Sequence, residues 1–226
     1  MAEYLEKNRA CWEDGYDAPN VESFIFRFYS RILRFDYGID GSKGEKVLDF
    51  GCGQGGALRF FDRLGFNCFG VDIGEVDVAA ARRLLPHAAN QIELVDPKPA
   101  ADLKLFSSDF DIVISIQTLD FLSNTDFQQA VQCLYANMKK GAKIFVSMNG
   151  WDMYYRNHGD YVGDGLWNVK FATDRVDYDF FCTFVRDKDE MKERFSLFRP
   201  IYIDHYDSSF RHEGSEFRYT FFGVKD

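Results

Sequence analysis

A glycine-rich segment, VLDFGCGQGG at residues 47–56, carries residues whose types and spacing could bind a ligand. Gly51, Gly53 and Gly56 fit the pattern G-x-G-x-x-G, and such a turn between a strand and a helix lets backbone N–H groups approach a ligand closely. Asp49 comes two residues before the first glycine. Its carboxylate would repel a pyrophosphate and attract an amino or sulfonium cation. The segment therefore favours a cationic ligand, and a dinucleotide is the alternative.

A second group of polar and aromatic residues lies in the segment 150–186. His158 is the first candidate for a general base, because imidazole titrates near neutrality, and His205 and His212 come after it. The aromatic residues could cover a small acceptor molecule, or they could simply be buried against one another. The candidates of this segment are Trp151, Tyr154, Tyr155, Arg156, His158, Tyr161 and Trp167.

Alternating strand and helix patterns would position both groups. The predicted strands are 46–50, 67–73, 91–96, 110–116 and 142–148, and the predicted helices between them are 57–65, 75–87 and 125–141. No helical pattern separates the third strand from the fourth, so that connection should be short or irregular. The order predicts a doubly wound, mostly parallel α/β sheet. Ligands of such sheets bind at the carboxyl ends of the strands.

The two flanking parts of the chain have different patterns. A helix is expected within 18–35, with Asn20 as its N-cap. Its apolar face would consist of Val21, Phe24, Ile25, Phe28, Ile32 and Phe35. Residues 149–168 are typical of a loop, 175–185 of a strand, and 187–198 of a helix capped by Asp187. Two strands within 199–225 should then form an antiparallel hairpin at the end of the chain.

Composition limits the function classes. The 226 residues are 46% hydrophobic, which suits a single domain, 1–226, with an N-terminal helical segment (1–44) and an aromatic substrate cap (150–186). A net charge of −9 without a basic patch argues against nucleic acid. The five cysteines form no C-x-x-C pair, and no segment has the ~20 apolar residues of a membrane span. We expect a cytoplasmic protein without a metal ion, and leave a homodimer open.

Four motifs resemble those of the class I S-adenosylmethionine (SAM)-dependent methyltransferase family. They are VLDFGCGQGG, GVDI, ELVD and FDIVISIQTLDFL, and the terminal hairpin lies where that fold has its sixth and seventh strands. The resemblance covers residues 46–146 and, less closely, the hairpin. It implies the seven-stranded methyltransferase fold, SAM as the cofactor, and methyl transfer as the activity.

The resemblance also implies roles for the residues of the glycine-rich segment. Gly51 and Gly53 would bring the loop backbone against the methionine part of SAM, with Gly55 giving further room. Asp49 would orient the amino group of that part.

Further roles follow from the later motifs. Asp72 would accept hydrogen bonds from the ribose hydroxyls, and Ile73 would lie on the adenine face. Asp96, or else Asp102, would bind the adenine amino group. Gln117 would lie where the methionine part and the acceptor meet, as both a cofactor-binding and a catalytic residue.

Two other functions stay open. Tyr135 and Lys139 have the Tyr-x-x-x-Lys spacing of short-chain dehydrogenases, with Ser123 before them, so the alternative is an NAD(P)-dependent oxidoreductase. The simpler interpretation is that Lys139 favours a helix C-terminus and Tyr135 packs. A SAM-binding protein without catalytic activity is the other possibility.

The acceptor is expected to be a small polar metabolite that is methylated on oxygen. The residues after the fourth strand, SIQT, lack the motifs of enzymes that methylate nucleic-acid bases, and Asp120 and Asp152 have poor spacing for a metal-assisted site. The segment YDAPNVESFIFRF resembles the first helix of small-molecule methyltransferases of bacterial surface-polysaccharide pathways. That resemblance implies a sugar, nucleotide-sugar or phosphate-type acceptor. Arg27, and also Arg31, could then bind an anionic group, although arginines on a helix surface are commonly just solvated.

Overall fold

A computed structural model describes residues 3–13, 21–106, 109–172, 177–209 and 214–226. The helices of these ranges are α1 (Glu3–Glu13), α2 (Ser23–Arg27), α3 (Arg34–Tyr37), α4 (Gly56–Asp62), α5 (Glu75–Leu84), α6 (Asn124–Ala136) and α7 (Lys188–Arg194). A π-helical turn, Phe28–Leu33, joins α2 to α3. None of these helices is long and apolar enough to cross a membrane.

The main sheet has seven strands. They are β1 (Lys46–Phe50), β2 (Asn67–Asp72), β3 (Ile92–Leu94), β4 (Phe110–Ser115), β5 (Met138–Asn149), β9 (Arg199–Tyr206) and β10 (Arg218–Val224). Their order is β3-β2-β1-β4-β5-β10-β9, with β10 antiparallel to both of its neighbours and the other pairs parallel. This architecture confirms the predicted seven-stranded α/β sheet with its terminal hairpin.

Apolar layers cover both faces of the sheet, which explains why β1 and β4 are continuous apolar runs. On one face, Phe127 of α6 and Phe195, which follows α7, belong to the same buried cluster as Val113 and Ile144 of the sheet. On the other face, the α2–α3 segment, α4 and α5 pack against Val47 and the strands beside it. The sheet therefore fixes the positions of the strand ends rigidly.

A second, three-stranded antiparallel sheet is inserted between β5 and α7. It consists of β6 (Gly159–Gly163), β7 (Leu166–Ala172) and β8 (Asp177–Cys182), and a 3₁₀ turn, Tyr154–His158, precedes it. The prediction of a loop over 149–168 was therefore wrong from Gly159 onward, whereas residues 150–158 form turns between the two sheets. Three glycines, Gly159, Gly163 and Gly165, interrupt the alternating pattern by which a strand is identified.

Two predicted helices have different ends or faces in the structure. The helix predicted at 125–141 ends at Ala136, and β5 begins at Met138. Between them, the side-chain amide of Asn137 donates a hydrogen bond to the carbonyl of Leu103 at 2.8 Å, which ends the helix there. Phe35 was predicted on a buried face but is 87% exposed. The π-helical turn before it adds about one residue per turn, which rotates Phe35 out and Leu33 in.

The ends of three other predicted elements are now defined. Glu22 is the N-cap of α2 but its side chain forms no hydrogen bond to the N–H groups of that helix, and Asn20 lies outside the described residues. Val21 precedes that helix and is exposed. Asp187 caps α7 as predicted, since its carboxylate accepts from the Glu190 N–H at 2.8 Å. The connection after β3 contains only turns within 95–106, as expected.

Candidate functional site

The glycine-rich turn after β1 depends on backbone conformations that other residues rarely adopt. Gly51, Gly53 and Gly55 have φ angles of 83°, 49° and 86°. A Cβ atom on Gly51 would lie 2.2 Å from the Thr118 hydroxyl oxygen, whereas one on Gly53 would meet nothing within 4 Å. The turn is thus packed tightly against the end of β4 at its first glycine and open at its second.

Asp72 connects this turn to the end of β2. One carboxylate oxygen accepts from the Gly53 N–H at 2.8 Å, and the other accepts from the Gly74 N–H at 2.9 Å. Burial raises the pKa of Asp72, and these two hydrogen bonds oppose the increase. A carboxylate has about four acceptor sites, so Asp72 can still accept from two hydroxyl groups of a ligand.

Asp49 is a buried carboxylate, 3% exposed, at the end of β1. Burial, and then the charge of Asp72, raise its pKa well above the usual value. No lysine, arginine or histidine pairs with Asp49 in the described ranges. Since a buried charge is costly unless it is paired, this position favours a ligand with a positive group.

A cavity of about 460 Å³ opens at the carboxyl ends of the strands. Among its described lining residues, six are acidic, namely Glu22, Asp49, Asp72, Asp77, Asp96 and Glu216, and two are basic, namely Arg9 and Arg218. The volume is in the usual range for a small-molecule site. The excess of carboxylates favours a cationic ligand over a pyrophosphate.

The structure brings most of the proposed cofactor residues to this cavity. Asp49, Gly51, Gly53, Asp72, Ile73, Asp96 and Gln117 all line it. Gly55 does not, because it precedes α4 and lies against α5, where a Cβ would be 3.1 Å from that of Ala81. Asp102 is exposed and lies outside the lining, so Asp96 is the better placed of the two.

The predicted substrate cap forms an aromatic cluster of its own. Trp151 packs edge-on against Trp167, with their ring centroids 5.8 Å apart, and the Arg156 guanidinium lies over the Trp151 ring. The ring centroids of Tyr154 and Tyr155 lie 4.3 Å apart, and both side chains are buried. Of the predicted substrate residues of the cap, only Tyr155 reaches the cavity. The packing therefore favours the interpretation that most of these rings bury one another.

His158 and Arg27 lie away from the cavity. His158 is exposed and packs against Phe171 at 4.6 Å, and Arg27 is exposed on α2. His205 is exposed on β9 beside Phe217, and His212 lies outside the described residues. The proposed catalytic function of His158 and the proposed acceptor binding by Arg27 stay predictions that this geometry does not support.

Sequence analysis missed several polar residues that line the cavity. Glu22 begins α2, Asn8 and Arg9 lie on α1, and Glu216 and Arg218 lie at β10. The one available signal was Arg218, a cation in the apolar strand RYTFFGV.

Arg218 is almost completely buried beside a buried carboxylate. Its guanidinium lies 3.4 Å from the Asp120 carboxylate and donates to the Asn149 side chain at 2.8 Å. Asp120 therefore has a partner that is not a metal, and Asp152 is exposed. The described residues include no group of three or more His, Cys, Asp or Glu side chains that could hold a metal ion.

The residues with dehydrogenase spacing have structural contacts. Tyr135 packs against Phe198 at 5.2 Å, and Lys139 pairs with Asp111 at 2.7 Å. Ser123 caps α6. None of these three residues lines the cavity, so the residues on which the oxidoreductase alternative rests do not lie at this site.

Comparisons with known proteins agree with the fold. Residues 20–200 match the model of a family described as "Methyltransferase domain". A ubiquinone biosynthesis O-methyltransferase of Idiomarina loihiensis is 31% identical over 116 residues, which are 48% of this chain and 44% of that protein. The chain thus spans about half the length of the curated relatives it matches.

Solved structures are similar in fold at low identity. A SAM-dependent methyltransferase from Methanosarcina mazei has a TM-score of 0.66 at 16% identity, covering 91% of this chain and 98% of its own. Magnesium protoporphyrin IX methyltransferase from Synechocystis, solved with S-adenosylhomocysteine (SAH) bound, has a TM-score of 0.54 at 16% identity, covering 81% and 74%.

The chain shares its fold with the solved SAM-dependent methyltransferase from Methanosarcina mazei, and its cavity lies at the carboxyl ends of the strands, where ligands of such sheets bind. The chain belongs to the methyltransferase domain family.

Proposed function

We propose that this protein transfers the methyl group of SAM to a hydroxyl oxygen of a small polar acceptor. The observation that carries the proposal is the buried Asp49 carboxylate beside the Gly51 turn, which has no cationic partner among the described residues and lies in a cavity with an excess of acidic residues. SAM has a sulfonium and an ammonium group, and this site compensates positive charge.

The residues present fit SAM. Asp49 would hold its ammonium group, and the Gly51–Gly53 backbone would lie against its methionine part. Asp72 would accept from the ribose hydroxyls, with Ile73 and Asp96 at the adenine. When bound, SAM supplies an electrophilic methyl group on a positively charged sulfur. The protein contributes mainly by holding two reactants in line and excluding water, an effect worth up to about 7–11 kcal/mol.

Oxygen as the methylated atom is supported by the similar proteins that are named O-methyltransferases. A hydroxyl-rich sugar fits the expectation from the N-terminal resemblance. A phosphate or a nucleotide-sugar fits less well, because the carboxylates of the cavity would repel its anionic groups. Participation in surface-polysaccharide biosynthesis stays a prediction.

Calorimetric titration with SAM, SAH and NADH tests the proposal. We expect micromolar binding of SAM and SAH and no binding of NADH. NADH binding alone would support the oxidoreductase. Binding of SAM without methyl transfer to any acceptor would support a non-catalytic SAM-binding protein.

Asp72→Ala tests the ribose assignment in the same titration. Hydrogen bonds to a charged group contribute about 1.5–3 kcal/mol each, so SAM affinity should fall by at least about tenfold. Asp189→Ala, at an exposed position in the first turn of α7, is the matched control and should bind SAM like the wild type. Equal affinity of all three proteins would remove Asp72 from the cofactor site.

A further inference from the structure

Part of the cavity lining lies next to Gln117 and consists of residues to which the cofactor assignment gives no role. We call it the acceptor end and define it by Glu22, Tyr155, Glu216 and Arg218. These residues come from the start of α2, the 3₁₀ turn before β6, and the β10 region. They share the cavity with the SAM-binding residues, so a molecule bound there would lie beside Gln117.

The acceptor end has an excess of negative charge. Arg218 is its cation, but Asp120 lies 3.4 Å behind it and compensates that charge. Glu216 accepts from the Ser208 hydroxyl at 3.0 Å. Neither Glu22 nor Glu216 forms a salt bridge with any residue in the described part of the chain. An anionic acceptor would therefore meet two carboxylates without matching cations.

Glu22 is the carboxylate placed next to the reacting part of the cavity. The Gln117 side-chain amide donates to a Glu22 carboxylate oxygen at 3.4 Å, which orients the carboxylate toward the strand ends. Burial raises the pKa of Glu22; Arg218 lowers it and Glu216 raises it. A carboxylate with a raised pKa takes up a proton more readily near neutrality.

Arg218 offers a donor at the same end. Its Nε atom is buried and has no hydrogen-bond partner among the described residues. A neutral oxygen of an acceptor could accept from this group, whereas Asp120 and Asn149 already occupy the other side of the guanidinium. The acceptor end thus combines one donor without a partner among the described residues with one carboxylate that accepts only from Gln117 there.

We infer that the acceptor end binds a small compound without negative charge that has two neighbouring oxygens, at least one of them a hydroxyl, and that Glu22 is the catalytic residue that accepts the hydroxyl proton. This inference rests on the proposed function. The acceptor oxygen forms a bond to the methyl carbon, and the bond between that carbon and the SAM sulfur breaks with its electron pair left on sulfur. The hydroxyl proton passes to Glu22.

The substrate class can be tested with three diols of matched shape that differ in charge. They are 4-ethylcatechol (neutral), dopamine (cationic) and 3,4-dihydroxyphenylacetate (anionic), each titrated calorimetrically into the SAH-saturated wild-type protein. We expect the neutral and cationic diols to bind at least about tenfold more tightly than the anionic one. Preference for the anion, or no binding of any of the three, overturns the proposed substrate class.

Glu22→Gln tests the proton acceptor with little change in shape. It should weaken binding of the neutral diol at least about tenfold. With radiolabelled SAM, it should also lower kcat about 100-fold or more, with a smaller change in KM. Glu193→Gln, exposed on α7, is the control and should match the wild type. Glu216→Gln should reduce the discrimination against the anion, with a smaller loss of kcat.

The outcomes separate this inference from the proposed function. If the wild type binds neither SAM nor SAH, the proposed function fails. If it binds both and Glu22→Gln keeps the wild-type kcat, only the assignment of Glu22 fails. A diol that binds the wild type without yielding a methylated product also overturns that assignment.

Discussion

Asp72 holds the glycine-rich turn after β1 in place before any ligand binds. Its carboxylate holds the N–H groups of Gly53 and Gly74, so the ends of β1 and β2 are linked by one side chain. A loop that is already ordered loses less conformational freedom on binding. We therefore expect Asp72 to contribute to SAM affinity in two ways, by direct contact and by holding the shape of the turn.

Two alanine substitutions should separate the tight packing at Gly51 from the cost of a positive φ angle, which Gly51 and Gly53 share. Gly51→Ala combines a positive φ, which costs about 1–2 kcal/mol, with a Cβ 2.2 Å from the Thr118 hydroxyl oxygen, which adds about 1–3 kcal/mol. Gly53→Ala has only the first cost, since nothing lies within 4 Å. Urea unfolding should give the larger loss for Gly51→Ala, and equal losses would contradict this account.

Asp120 makes the stability of the protein depend on pH. Burial raises the pKa of Asp120 to about 6, and the Arg218 cation opposes the increase. Because this pKa lies above the value of about 3.9 in an unfolded chain, the contribution is present at low pH and is lost as the pH rises through about 6.

Asp120→Asn removes that titration. Between pH 4.5 and 7.5, the wild type should lose about 2 kcal/mol of unfolding free energy relative to Asp120→Asn, since one pKa unit corresponds to about 1.4 kcal/mol and part of the effect is already lost at pH 4.5. Urea unfolding at several pH values measures the difference, with Asp226→Asn, in an exposed pair with Arg199, as the control. A constant difference between wild type and Asp120→Asn would contradict the raised pKa.

Among the secondary-structure elements, α1 closes one wall of the cavity. Leu5, Asn8 and Arg9 line the site, and Asn8 binds the backbone on two sides. Its side chain donates to the carbonyls of Phe121 and Phe181 at 3.1 and 2.8 Å and accepts from the Phe181 N–H at 2.6 Å. Tyr4 adds a hydrogen bond to Asp126. These contacts hold α1 against β8 and the turn after β4.

Asn8→Ala should loosen α1 without unfolding the sheet. Three lost hydrogen bonds, each worth about 0.5–1.5 kcal/mol, should speed hydrogen exchange of the α1 amides by at least about tenfold. SAM should also dissociate faster. Lys7→Ala removes the partly exposed ion pair with Asp179 and the contact of its ammonium group with the Phe181 ring, and should change exchange less than Asn8→Ala does. Unchanged exchange in Asn8→Ala would mean that other contacts hold the helix.

The elements that could be predicted from the sequence are those whose sequence patterns span only a few residues. β1, its glycine turn and the end of β2 were found because strand, turn and carboxylate follow one another in VLDFGCGQGG and GVDI. The acceptor end was missed because Glu22 and Arg218 come from distant segments that only the folded sheet brings together. The β6–β8 sheet was partly missed because glycines and exposed residues obscure its alternation.

Across the whole molecule, ligand binding should appear as thermal stabilisation. At a free SAH concentration of 100 Kd, the folded state gains about 2.7 kcal/mol, which for a chain of this size raises Tm by about 5–10 °C. NADH at the same concentration should leave Tm unchanged. A shift with NADH but not with SAH would contradict the cofactor assignment.

The assembly state and partners stay predictions at this scale. The net charge of −9 disfavours nucleic acid, and sedimentation analysis would decide whether a homodimer forms.

The inserted sheet leaves and rejoins the main fold at one point. Gly150 and Val185 form a β-bridge, and the Val185 N–H donates to the Asn149 carbonyl at 2.8 Å. An insertion whose ends meet can change in length or sequence during evolution without displacing the strands that carry Asp49 and Asp72. Descendants of such a gene can therefore vary the insertion, including Tyr155, which reaches the cavity, while they keep the strand ends, and this junction is where a chimeric protein could be joined.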